Sequence, residues 1–514
     1  MTNFRFMLFR FITLLSLIVL SGCATHSRVV DRYATNAKKT VEIVKGKGED
    51  AEVIKWITYY NNDRIQSELF IENGMPNGKA TFYHPNGAIA SKGKYVNYLR
   101  DGKWAWTNPK GNIDSTQTFK NGKLDGKTTY FANGELIVVQ FYSDGDRHGT
   151  FKEFYSDGKK KVIGEYVQNL PHDTWTWYNE YKSKTRLVTF SRGVKHGYFK
   201  IWNKGQLVLT GQFAADQRIG TWKWGREKKI LDSLATYSAG VLNGEFKAWH
   251  TNKKPAVFGN YVQGDQDGIW EWWSEEGLMD SSKTFDNGYL NGSSLYYFKN
   301  EQMKASIHYQ TGKLDGESIF YFMSGGFQSR TIYQSGHKNG PYEIWYSDER
   351  PEEKGNYLNG KLHGQIQRWY SNGMSASIAN YKEGKLDGVT QVFTLSGKIK
   401  KELFFENGSQ IASFEYHDNG RFKRVLLLSN NETKYERKWN QLGIEETEEE
   451  FILGTNLDSE FYLSGFLKYE CMYKDGQKHG MEWWFDEDRN PTQVNLYFNG
   501  ESIISYELSY ETSE

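Results

Sequence analysis

The sequence predicts an all-β protein: tandem β-hairpin repeats of about 24 residues, stacked into one long twisted antiparallel sheet, elongated and solenoid-like. Three observations predict it. A unit of aromatic, two residues, Gly, three residues, Gly recurs along most of the chain, as in Tyr357-Leu358-Asn359-Gly360-Lys361-Leu362-His363-Gly364 and again from Tyr381 to Gly388. Asn133-Gly134, Asp157-Gly158 and Asn372-Gly373 fall between apolar runs, which is the strongest short hairpin signal. Tryptophans recur at alternate positions, which places both rings of a pair on one face of a strand.

The second Gly of the unit runs from Gly78 to Gly480, giving eighteen slots at a mean period of about 23.6 residues. Asp173 and Ala412 replace it in two clear cases, and two further slots fall near Lys434 and Asp458. The aromatic slot lies seven residues earlier and is aromatic in sixteen of eighteen copies, Ile71 and Leu428 being the exceptions. Rings at that spacing are expected to form a packing ladder, each stacked on its neighbour in the adjacent repeat. The first Gly is replaced by Tyr98, Asn169, Asp216 and Asn431. Asn and Asp tolerate positive φ best after Gly, so the slot reads as a left-handed turn residue and not as a ligand cradle.

Composition agrees. There are 64 basic and 63 acidic residues, so the overall charge carries no footprint for nucleic acid. Aromatics make up 16 % of the chain while the mean hydropathy is −0.71, which suits a thin two-faced structure. With 51 Gly and 8 Pro, tight turns joining paired strands are expected, and two cysteines exclude a disulfide framework.

Taken in order, residues 1–22 read as a lipoprotein signal peptide. Arg5 and Arg10 precede an apolar run from Phe11 to Leu20 that is too short to span a bilayer. Leu20-Ser21-Gly22-Cys23 resembles the bacterial lipobox, which implies that Cys23 is lipidated and becomes the mature N-terminus. Ala24 after it implies the outer membrane of a Gram-negative cell, on the periplasmic side or the surface. Several acyl chains, palmitate among them, would anchor the chain firmly. Residues 23–50 read as the lipidated Cys and a polar, flexible tether. Residues 51–412 carry the regular repeats, 413–472 degenerate ones, and 473–514 the last repeat and a C-terminal cap.

The strand after the second Gly often carries a Trp pair: Trp104 and Trp106, Trp175 and Trp177, Trp222 and Trp224, Trp270 and Trp272. Two readings apply. The pairs are a structural ladder, or they are a binding face that stacks on sugar rings. His148, His172, His196, His363 and His479 share one slot before the second Gly, filled elsewhere by Asp125, Asn243 or Asp387, which marks a turn position rather than a metal or catalytic set. Asp144-Gly145-Asp146 lacks the further carboxylates of a calcium loop. Cys471 alternates with apolar residues and reads as buried.

Asn121-Gly122-Lys123-Leu124-Asp125-Gly126-Lys127 and its copies resemble the MORN-repeat variant family, which includes antitoxin-labelled proteins of the YwqK type. The resemblance covers roughly residues 54–500 and implies stacked β-hairpins in one antiparallel sheet. The expected function is a non-enzymatic scaffold at the cell envelope, with a lipid anchor in the membrane, protein partners, and neither cofactor nor metal. The alternatives are a glycan- or peptidoglycan-binding protein using the Trp faces, or an antitoxin- or immunity-like protein. Phospholipid binding is proposed for some members of that family, but no basic stripe is visible in the sequence.

Overall fold

The computed structural model describes residues 24–48, 50–226, 230–429, 432–446 and 456–508. Every regular element among them is a β-strand, and the chain divides into two compact units, Met1–Leu242 and Asn243–Glu514.

In the first unit consecutive strands pair antiparallel in chain order. Met75–Tyr83 pairs with Ile89–Val96, which pairs with Leu99–Thr107, which pairs with Ile113–Lys120. The register explains the repeat. The second Gly of one unit lies opposite the aromatic of the next: Gly78 faces Tyr95, Gly102 faces Phe119 and Gly220 faces Tyr237. These glycines sit at positive φ (Gly102 67°, Gly126 106°), and Asp173 takes the same conformation at 53°. Each such residue marks a bulge at which the ladder shifts register, as between Lys92 and Lys94. The first Gly closes a two-residue turn in which both residues are left-handed, such as Asn121 at 49° and Gly122 at 81°. Tyr98, Asn169 and Asp216 adopt that conformation without Gly, whereas Asn431 lies outside the described residues.

Both rims are stapled between repeats. On the rim of the two-residue turns the backbone N–H of Gly122 donates to Arg100 O, and that of Gly193 donates to Pro171 O, both one repeat back. On the opposite rim, that of the longer turns, Tyr60 Oη donates to Tyr83 O at 2.7 Å, and Tyr155 Oη donates to Tyr178 O at 2.8 Å. In the second unit Tyr346 and Tyr370 repeat that bond at 2.8 Å. A hydroxyl at one repeat position thus satisfies a carbonyl that the next turn would leave unpaired.

The tether expected over residues 23–50 is corrected. Thr25–Arg32 and Lys38–Lys45 form an antiparallel hairpin, and Lys38–Lys45 pairs onward with Glu52–Tyr59. Val41 and Val44 are buried, at 5 % and 0 % exposure. Thr40-Val41-Glu42-Ile43-Val44 is a run rich in β-branched residues that lacks the aromatic and double-Gly signature of the repeat, and the hairpin is held by the sheet it extends. Thr25–Arg32 is exposed along its whole length.

In the second unit the same hairpins continue to Glu432–Lys438. Residues 413–438 therefore keep strand pairing despite their degenerate sequence. Ala412 has no positive φ and is fully buried. With no Gly bulge there, Phe414 lies opposite Glu402 instead of Leu403. A slip of one residue turns a strand over, so Phe414 faces the other side of the sheet from Thr390, its counterpart one repeat earlier.

That reversal makes a second core. Five strands, Asn456–Phe461, Leu467–Lys474, Gln477–Phe485, Pro491–Phe498 and Glu501–Glu507, form a separate antiparallel sheet. It packs Met472, Trp483, Val494 and Leu496 against Phe404, Phe414, Phe422 and Val425. Two buried polar links join the sheets. The Arg437 guanidinium grips Glu470 at 2.8 and 2.9 Å, and Tyr506 Oη donates to Glu402 Oε1 at 2.7 Å. Glu402 is 1 % exposed and also accepts from Tyr416 Oη and Gln391 Nε2.

Candidate functional site

The Trp pairs divide into two kinds. Trp104, Trp175, Trp222 and Trp270 are buried, at 1, 7, 1 and 2 % exposure, while Trp106, Trp177, Trp224 and Trp272 are half-buried. A binding face made of all eight rings is therefore corrected: the first Trp of each pair has no free surface on which a sugar could stack. Each indole Nε1 donates to a backbone carbonyl ten residues earlier, Trp104 to Lys94 at 3.0 Å and Trp270 to Asn260 at 3.0 Å.

The ladder is real but is built differently from the expected one. In the four repeats that carry it, a buried Trp stands between successive slot rings: Tyr95 meets Trp104 edge-on at 5.1 Å, and Trp104 reaches Phe119 through Trp106. Phe213, Trp222 and Tyr237 repeat this arrangement, as do Tyr261, Trp270 and Phe285. Arg100 lies over Trp104 at 5.0 Å and Arg218 over Trp222 at 4.6 Å, closing the ladder with a cation on the ring face.

Sequence reasoning missed the residues that make room for the indoles. Gly93, Gly164, Gly211 and Gly259 lie in strands, two residues before the aromatic slot. A Cβ on any of them would meet an indole carbon at 2.2 Å. The signal was legible: each of the four buried Trp follows such a Gly by eleven residues. In the last repeat, Cys471 occupies the Gly position and Glu482 the Trp position. Cys471 is fully buried, and burial raises its thiol pKa. Burial also pushes the Glu482 carboxyl up, but hydrogen bonds from Lys478, Asn495 and Tyr469 hold it below its ordinary value.

The histidine slot is a turn position. His172 Nδ1 accepts the backbone N–H of Arg192 at 3.3 Å, and His479 Nδ1 accepts that of Asn499 at 3.2 Å. Asp387 and Asn339 accept from the same place in the next turn, from Asn407 N and Asn359 N. In these four repeats the side chain of this slot caps the neighbouring turn, whether it is His, Asp or Asn, whereas His363 Nδ1 makes no such bond. Asp144 and Gly145 are the two left-handed residues of such a turn, and Asp144 pairs with Lys123 at 2.9 Å. Among the described residues no cluster of His, Cys, Asp and Glu has the arrangement of a metal site. Cys23 lies outside the described residues.

One surface feature follows the repeat. Met75, Leu99, Leu170, Val194 and Val241 open the strand after the two-residue turn and are between 38 % and 46 % exposed. Leu99 rests on Gly122 and Leu170 on Gly193, each touching the turn of the next repeat. The outcome is an interrupted apolar row along the two-residue-turn rim of the first unit.

Three segments, residues 76–97, 147–168 and 386–407, match the MORN repeat variant family. All three have the same phase, with the bulge Gly near the start and the aromatic near the end. No curated protein sequence matches the chain. Among solved structures it is similar to the TcdB2-TccC3-Cdc42 crystal structure, with 11 % identity over 91 % of this chain and 30 % of that one, at a TM-score of 0.14. It is also similar to the Photorhabdus luminescens Tc holotoxin pore, with 10 % identity over 92 % of this chain and 29 % of that one, at a TM-score of 0.13. The chain spans less than a third of the length of these solved chains.

Proposed function

We propose that this MORN-type repeat chain is a non-enzymatic scaffold that holds protein partners at the cell envelope, anchored by lipid on Cys23. The observation that carries the reading is the exposed apolar row at Met75, Leu99, Leu170, Val194 and Val241. Large apolar side chains repeated at one turn position are a docking feature in a soluble face, because they contribute little to the core while exposing area to water. The structural repeat returns the same turn position in each unit, so these side chains offer one interrupted row to an extended partner or to several copies of a small one.

The test is an affinity capture from native envelope extract, with the full chain as bait and a Leu99→Ser/Leu170→Ser/Val194→Ser variant beside it. A protein recovered stoichiometrically by the parent and lost by the variant supports the scaffold. Equal recovery by both, or recovery of glycan alone, refutes this surface.

A further inference from the structure

On the face of the first unit opposite the buried Trp row, the register gathers five lysines from strands that are separated in sequence. Lys79 lies directly across from Lys94, Lys92 across from Ala105, and Lys103 across from Thr118. With Lys127 they line a cavity of about 770 Å3. Asp101 pairs with Lys94 at 2.8 Å. Lys79, Lys92, Lys103 and Lys127 have no carboxylate partner among the described residues.

We infer that this cavity binds an acidic glycan, a chain of sugars bearing carboxylates. Charge gives the sign of the ligand. Like charges directly opposite on neighbouring strands oppose pairing, so the Lys79 and Lys94 pair does not serve stability. The span gives the length: five strands at about 4.8 Å spacing set the outer lysines roughly 19 Å apart, too far for a single small anion. The rest of the lining gives the class. Thr81, Thr116, Thr118 and Thr129 put hydroxyl oxygens among the lysines; Thr118 donates to Lys127 O and Thr116 and Thr129 bond each other, so these three offer a polyol chiefly acceptor lone pairs, and Phe131 and Leu136 form an apolar end wall. Neither Arg nor a row of aromatic rings lines the cavity, so it lacks the bidentate and stacking groups that favour phosphodiesters and bases. The basic stripe missing from the linear sequence is thus assembled by pairing.

The experiment titrates the full chain with oligogalacturonate of defined length and with its fully methyl-esterified form, at physiological ionic strength. The comparison variants are Lys92→Gln/Lys103→Gln/Lys127→Gln and, as a charge-matched control, Lys313→Gln/Lys361→Gln/Lys385→Gln. The expected result is binding to the acid form alone, weakened at least about tenfold by the first variant and unchanged by the second. All six lysines are exposed, so equal thermal melting of the variants checks that the fold is intact. Equal weakening by both variants, no binding of the acid form, or tighter binding to polyphosphate or anionic vesicles than to the uronate chain would overturn the inference. None of these outcomes depends on the apolar row, so this test and the scaffold test fail independently.

Discussion

The indole of Trp104 occupies the space over Gly93 so completely that a Cβ on the glycine would sit 2.2 Å from the ring. Strand interiors usually disfavour Gly, and here its missing side chain is the socket for the largest residue of the next strand.

The first prediction concerns that pair. Gly93→Ala should destabilise the first unit by about 1–3 kcal/mol through overpacking, and Trp104→Ala by about 3–5 kcal/mol through the cavity it leaves. The double variant should be less destabilised than the sum, because with the indole gone the added methyl meets no ring. Urea unfolding of the four proteins measures the coupling, and strict additivity would refute the socket.

Trp106→Ala should cost less than Trp104→Ala, since Trp106 is only half-buried. Acrylamide should also quench the Trp106→Ala protein less than the parent, and the Trp104→Ala protein more. The reverse order would mean that the burial assignment is wrong.

The turn cap at His479 predicts a pH dependence. Burial, then the charge of Lys474, lowers its pKa below 6.5. The folded state therefore prefers the neutral ring, whose Nδ1 accepts the Asn499 N–H. Its contribution is complete above pH 6.5, declines as the pH falls through 6.5 toward the folded value, and then levels off. His479→Asn should keep the cap, as Asn339 does at the same slot of an earlier repeat, and should lose this pH dependence. His479→Ala should cost about 0.5–1.5 kcal/mol at neutral pH. Melting curves of the three proteins between pH 5 and 8 decide it.

Breaking the Arg437–Glu470 pair should loosen both sheets of the second unit together. Both side chains are buried, so Glu470→Gln leaves a cation poorly compensated and should cost roughly 3–5 kcal/mol. Hydrogen exchange should rise in Phe422–Ser429 and in Leu467–Lys474 in parallel. A rise confined to one sheet would show that the pair does not couple them.

Cys23→Ser should move the protein from the membrane to the soluble fraction of cells. Unchanged fractionation would exclude the lipid anchor implied by Leu20-Ser21-Gly22-Cys23.

The repeat was legible because its causes are local. Asn121-Gly122 demands a left-handed turn wherever it occurs, and alternation assigns Trp104 and Trp106 to one face before any partner strand is known. The Gly-to-Trp spacing of eleven was equally visible, yet it acquires meaning only once the register puts Gly93 under Trp104. The hairpin at 25–45 was hidden because the β-branched-rich run at 40–44 carries neither the aromatic nor the double-Gly signature of the repeat, and the neighbour at Glu52–Tyr59 buries Val41 and Val44.

The sequence by itself determined the all-β class, the period, the turn conformations and the histidine slot as a turn position. All of these depend on backbone preferences and on neighbours within one hairpin. Only the tertiary structure decided which Trp are sealed from solvent, that the loss of one bulge at Ala412 turns Phe414 toward a second sheet, and that Lys79, Lys92, Lys94, Lys103 and Lys127 share a cavity. These depend on cross-strand register. A single inserted or missing residue exchanges the two faces of a strand, so no count along one strand can fix them.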